Sequence, residues 1–122
     1  MHASERNFTI EGAPNDIHNV TVDNISTEVT GGHSIVRLLC HDGIRMYSIR
    51  VSNVYDRLID TRLTKCKAAV RIGDANYWSV NPAKAGDMYD ITVSGVTTNA
   101  AEAVIIYDKI ADCKVSDVKQ ID

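Results

Sequence analysis

A short apolar phrase returns along this chain with the same punctuation each time, and it constrains the fold more than any other feature. The copies are Phe8-Thr9-Ile10-Glu11-Gly12-Ala13, Val20-Thr21-Val22-Asp23-Asn24-Ile25, Ile49-Arg50-Val51-Ser52-Asn53-Val54, Ile91-Thr92-Val93-Ser94-Gly95-Val96 and Cys113-Lys114-Val115-Ser116-Asp117-Val118. Each alternates apolar, polar, apolar, then gives two polar or small residues and a final apolar one. Alternation of period two places the apolar side chains on one face of a half-buried strand. The fifth position holds Gly12, Asn24, Asn53, Gly95 and Asp117, the residue types that enter the left-handed backbone region at least cost. A strand that recurs with its bend in one place specifies a coiled repeat.

The spacing of the copies sets the organisation. Their first apolar positions fall at 8, 20, 49, 91 and 113, giving intervals of 12, 29, 42 and 22. The last is the length of one turn of a three-stranded parallel β-helix, and the interval of 29 is a turn with a modest insertion. The interval of 42 contains the Gly- and Pro-bearing stretch 73–87, which reads as a long loop. An interval of 12 is too short for a turn, so residues 1–16 are expected to be an edge strand or cap before a single domain over 17–122. A second strand type lies between the phrases, at Ser34–Leu39, Ala68–Gly73 and Glu102–Tyr107, short and rich in branched residues as interior strands are. Stacked turns would then align Val20, Ile49, Ile91 and Cys113 in one column and Val22, Val51, Val93 and Val115 in another. The expected fold is all-β, a short right-handed parallel β-helix of about four to five turns. The alternative is a compact β-sandwich, which antiparallel pairing throughout would establish.

Composition narrows the partners. At 122 residues and 44% hydrophobic the chain suits one domain with one core. A net charge of -3 gives no basic footprint for nucleic acid. No apolar run approaches the roughly 20 residues that span a bilayer, so no membrane partner is expected. The polar start Met1–Asn7 lacks the apolar segment of a signal peptide, which leaves localisation open and a secreted or cell-surface parent allowed. Cys40, Cys66 and Cys113 lack metal-type spacing and sit among apolar neighbours, so they read as small buried hydrophobes. His2, His18, His33 and His41 show no paired spacing, and neither a metal nor a cofactor is expected.

Two groups of side chains carry chemistry. Asp56 and Asp60 are interleaved with Arg57 and Arg62, either as an acid and base on a turn facing a groove or as solvated ion pairs. His41-Asp42 reads as a general base with its orienting acid or, with Gly43 following, as a turn. The loop after β-rich Ala68–Ile72 is the most function-like segment. Arg71, Asp74, Tyr77, Trp78 and Asp87, with Tyr89 beyond them, combine aromatic faces with bidentate donors and acceptors, the two kinds of group that hold sugars. Trp78 either meets a ligand there or folds back to cap the coil.

The phrase, its Asn/Gly/Asp column and the strand Ala69-Val70-Arg71-Ile72 resemble the right-handed parallel β-helix of pectate-lyase-like and polygalacturonase-type carbohydrate-active proteins over residues 17–122. Gly31-Gly32-His33-Ser34 is similar to that family's Gly-His-Gly motif, with Ser34 in place of the second glycine. Arg71-Ile72-Gly73 is similar to its Arg-Ile-Lys motif, with Gly73 in place of the lysine. The resemblance implies that His33 is the family histidine and that Arg71 holds a substrate carboxylate. It also implies paired aspartates upstream, because inverting hydrolysis needs one carboxylic acid and one carboxylate. Asp16 and Asp23 stand upstream of His33 in no such motif. The expectation is therefore recognition of a polysaccharide or oligosaccharide, with glycoside hydrolase ancestry and no complete catalytic set. Any catalysis would be glycoside hydrolysis, with His33, Asp56 and Asp60 as candidates. The alternative is a non-catalytic structural module, forming homo-oligomers through coil ends whose open strand edges need covering.

Overall fold

A computed structural model describes residues 16–28, 33–39, 44–60, 62–64, 67–73, 88–107, 110 and 112–122. Seven strands follow one another: β1 (Ile17–Thr27), β2 (Val36–Leu38), β3 (Met46–Asp56), β4 (Ala68–Ile72), β5 (Met88–Thr98), β6 (Glu102–Ile106) and β7 (Cys113–Gln120). The odd strands form one sheet in the order β1-β3-β5-β7 and the even strands another in the order β2-β4-β6. Parallel neighbours cannot be joined by a hairpin. Here each return between odd strands passes through a strand of the other sheet, so the chain is all-β with two parallel sheets. The antiparallel pairs of a β-sandwich do not occur among the described strands.

The register follows the repeated phrase. Val20 pairs with Ile49, Ile49 with Ile91 and Ile91 with Cys113, and Val22, Val51, Val93 and Val115 form the neighbouring column. Ile25, Val54, Val96 and Val118 make a third. The fifth positions behave as their residue types require, with φ of 59° at Asn24, 53° at Asn53, 77° at Gly95 and 53° at Asp117. A second left-handed column is not evident from the phrase: Asn19, Ser48 and Asp90 have φ of 57°, 54° and 50°. β1, β3 and β5, each of 11 residues, are thus bent at their third and eighth positions.

Between and beyond the bends the period of two resumes. Ile49, Val51, Val54, Ile91, Val93 and Val96 are at most 1% exposed, and across the core Val36, Leu38, Val70 and Ile72 are fully buried. Each such side chain contributes about 1.5–3 kcal/mol relative to leaving it in water. The inward row ends in polar residues, Thr27, Asp56, Thr98 and Gln120 in register. The Thr98 hydroxyl donates to Asp56 Oδ2 (3.1 Å) and accepts from the Ala100 N–H (2.9 Å). Buried Asn99 then clasps the exit from β3, accepting from the Leu58 N–H and donating to the Leu58 carbonyl, both at 2.9 Å. Those bonds satisfy backbone groups that burial would otherwise leave costly.

Candidate functional site

The outer face of the four-stranded sheet gathers most of the described polar chemistry. Between the two bends, alternation turns Thr21, Arg50, Thr92 and Lys114 outward in one column and Asp23, Ser52, Ser94 and Ser116 in the next. Strands in a sheet lie about 4.8 Å apart, so polar side chains follow one another at that interval along the axis, hydroxyls alternating with cations in the first column and three serines following Asp23 in the second. Asp23 Oδ1 accepts from the Ser52 hydroxyl (2.8 Å) and from Asn53 Nδ2 (2.9 Å). Further along, Ser94 Oγ lies 3.5 Å from Asp117 Oδ2.

Beside the first bend stands a ring stack. His18, Tyr47 and Tyr89 occupy the second position of β1, β3 and β5 in one register column. Their centroids are 5.0 Å apart at each step, with planes 5° and 2° from parallel. Rings stacked in register cover one another's inner faces, leaving edges and polar rims toward solvent; His18 is exposed and both tyrosines are half-buried.

The bend column links this stack to the outer polar columns. Ser48 Oγ donates to Asp90 Oδ2 (2.9 Å), Arg50 Nη2 donates to Asp90 Oδ1 (3.0 Å) and Arg50 Nη1 donates to the Asp90 carbonyl (2.9 Å). The Asp90 N–H donates in turn to Asp112 Oδ2 (3.1 Å). At the β1 edge Arg45 grips Asp16 through two bonds of 2.6 and 3.3 Å. These partners set the charges. The Ser48 hydroxyl and then Arg50 hold the Asp90 carboxyl below the usual carboxylate value, Ser52 and Asn53 do so for Asp23, and Arg45 does so for Asp16. All three are ionised acceptors at neutral pH, unsuited to deliver a proton as a general acid.

The residues singled out in the sequence are scattered. His33 is exposed on the approach to β2. Arg71, in β4, turns onto Tyr107: its Nη2 donates to the phenol oxygen (2.8 Å) and its guanidinium carbon lies 5.0 Å from the ring centroid, a cation–π geometry. Asp56 is 2% exposed, buried as the last residue of β3. Asp60 is instead held by Arg62 through both carboxylate oxygens (2.9 and 3.0 Å), which keeps its pKa lowered. One carboxylate is therefore internal and the other ion-paired. Asp74, Tyr77, Trp78 and Asp87, His41 and Asp42, Cys40 and Cys66, and the first phrase at residues 8–13 lie outside the described residues. Among the described residues no group of three or more His, Cys, Asp or Glu is arranged to hold a metal.

The ring stack and first bend column escaped the sequence reading, although a signal was present. Asn19, Ser48, Asp90 and Asp112 each stand immediately before a phrase, and His18, Tyr47 and Tyr89 stand one residue earlier. Of these residues, the sequence places only Tyr89 beside the sugar-type group. No protein-family model, curated protein or solved structure matches the chain. The likeness to polygalacturonase-type proteins is one of sequence pattern, and the structure adds only that the strands are parallel.

Proposed function

We propose that this chain is a short right-handed parallel β-helix that recognises a polysaccharide or oligosaccharide on its outer face. Support for the coil comes from the alternation of strands between two parallel sheets and from the strong preference of parallel crossovers for the right hand. The observation that carries the function is the His18–Tyr47–Tyr89 stack standing beside the Arg50–Asp90 ion pair. A glycan chain repeats the same hydroxyls and the same apolar ring surfaces at a regular interval. A columnar surface offers hydroxyls, cations and ring edges at a regular interval, so several weak contacts can be made at once. Arg50, Lys114, Ser52 and Ser94 supply the hydrogen-bonding groups, and the tyrosines supply amphipathic surface.

Catalysis is not part of the proposal. Asp16, Asp23, Asp90 and Asp112 on this face each accept hydrogen bonds, Asp117 lies 3.5 Å from the Ser94 hydroxyl, and Asp56 and Asp60 are separated by burial and ion pairing. Ancestry among glycoside hydrolases is compatible with a coil that keeps a binding face without a pair of free acids. Isothermal titration with acidic and neutral polysaccharides is the test. Binding should weaken by about tenfold, some 1.4 kcal/mol, in Tyr47→Ala and in Arg50→Ala, whose side chains lie on the surface. Absence of binding to both polysaccharide classes, or binding indifferent to both substitutions, would refute the assignment to this face.

A further inference from the structure

The stack of strands stops at β7 with its apolar columns open. Val115 and Val118 are 39% and 45% exposed, whereas Val93 and Val96, on which they stack, are fully buried; Ile106 of β6 is 37% exposed above fully buried Ile72. The three line one groove of about 390 Å³ together with Val104 and Gln120. The backbone is open in the same direction. The Arg57 N–H donates to the Thr27 carbonyl (3.0 Å), Asn99 to Asp56 (3.1 Å) and Ile121 to Thr98 (2.8 Å), one rule on three successive rungs. The next acceptor in that series is the Gln120 carbonyl, on an edge that no described strand covers. An exposed apolar strand edge is a template for pairing.

We propose that this end seats β1 of a second copy of the chain, parallel and in the register the four strands already share. Three observations select that occupant. The first is the columns: Val20, Val22 and Ile25 of the second copy would fall on Cys113, Val115 and Val118, as Val20, Val22 and Ile25 fall on Ile49, Val51 and Val54 within one copy. The second is the bend, because a strand in the left-handed region at one residue pairs evenly only with a strand bent at the same place. Asn24 (φ 59°) would meet Asp117 (φ 53°). The third is charge: β7 carries two lysines, Lys114 and Lys119, against one acid, Asp117, whereas β1 carries one acid, Asp23, and no lysine or arginine, and the shared register sets Asp23 opposite Ser116, diagonal to Lys114.

A symmetric, antiparallel pairing of two β7 strands meets these conditions less well: with the bends opposite at Asp117 it sets Val115 against Lys119 and Val118 against Ser116. Two β7 strands paired antiparallel with Val115 against Val118 would instead set Lys114 directly opposite Lys119, and like charges so placed are destabilising. The contact is therefore between unlike ends, and because it repeats the step from strand to strand along the axis it adds copies without closing a ring. The chain would associate into open-ended stacks whose length rises with concentration. This inference does not rest on glycan binding, since the apolar columns and the bends carry it; Lys114 and Asp23 are the residues it shares with the outer face.

Sedimentation velocity of the full chain over a wide concentration range tests it, with circular dichroism to show that each variant is folded. The wild type should grow beyond dimers. Val118→Lys, at the β7 end, and Asp23→Lys, at the β1 end, should each weaken self-association by about tenfold or more. Mixed, they should form one-to-one dimers that grow no further, because only one unaltered junction is then available. A wild type that stays monomeric, a wild type that stops at dimers, or an Asp23→Lys chain that associates as well as the wild type would each overturn the proposal.

Discussion

Left-handed residues hold the strands in their bent shape, and not all of them are equally suited to it. Gly95 takes φ of 77° freely, while a Cβ placed there would lie 3.2 Å from Asn53 Oδ1 and 3.3 Å from its N, a tight fit. Asn53 itself sits at 53° and donates to Asp23. Replacing it by alanine or by glycine removes that bond equally, so the difference between the two variants reports the backbone alone. Asn53→Gly should be more stable than Asn53→Ala by about 1 kcal/mol in urea unfolding; equal stabilities would mean that the bend is not a left-handed one. This column was legible in the sequence because glycine, asparagine and aspartate are the types that tolerate the conformation. Its partner column was legible only at Asn19 and Asp90. Serine is not a residue that marks such a bend, and Ser48 is held by the carboxylate of Asp90, far along the chain.

Within the elements, the phrase marked the apolar columns correctly but ended two residues short of the strands. Alternation runs on past Val54, so Asp56 points inward in register with Thr27 and Thr98, neither on a turn facing a groove nor in a solvated ion pair. The Asn99 clasp on Leu58 could not be read from either segment alone, since each supplies half of it. The first bend column couples β3 to β5 through Asp90, and its pH dependence follows from the direction of its pKa. Ser48 and Arg50 lower that value in the folded chain below the ordinary 3.8. A depressed value means that the contribution is fully present above 3.8 and is lost as pH falls through the folded value. The stability difference between wild type and Asp90→Asn should therefore be constant near neutrality and shrink in acid, as followed by urea midpoints across pH. A difference that persists undiminished in strong acid would assign the loss to something other than the carboxylate's charge.

Over the whole molecule, position along the axis decides what a side chain contributes. Val51 and Val115 occupy one column with the same chemistry, yet one is 1% exposed and the other 39%. Val51→Ala should cost about 2 kcal/mol, from the lost methyl groups and the cavity left behind, and Val115→Ala under about 0.5 kcal/mol. Urea unfolding of the isolated chain at low concentration measures both, and equal losses would show that the β7 end is covered. The parallel two-sheet architecture was legible because every copy of the phrase carries the same pattern. The outer face was less so, because the ring stack exists only once three separate segments are brought into register. That register also ignores how much chain lies between the strands: successive returns span 29, 42 and 22 residues, yet corresponding positions still meet. The strands thus behave like fixed type and the connections like adjustable spacing. New sequence placed in a connection would lengthen a loop and leave every rung intact, whereas a single residue added inside β3 would put half of its side chains on the wrong face. A chain built this way can gain or lose surface loops without renegotiating its interior.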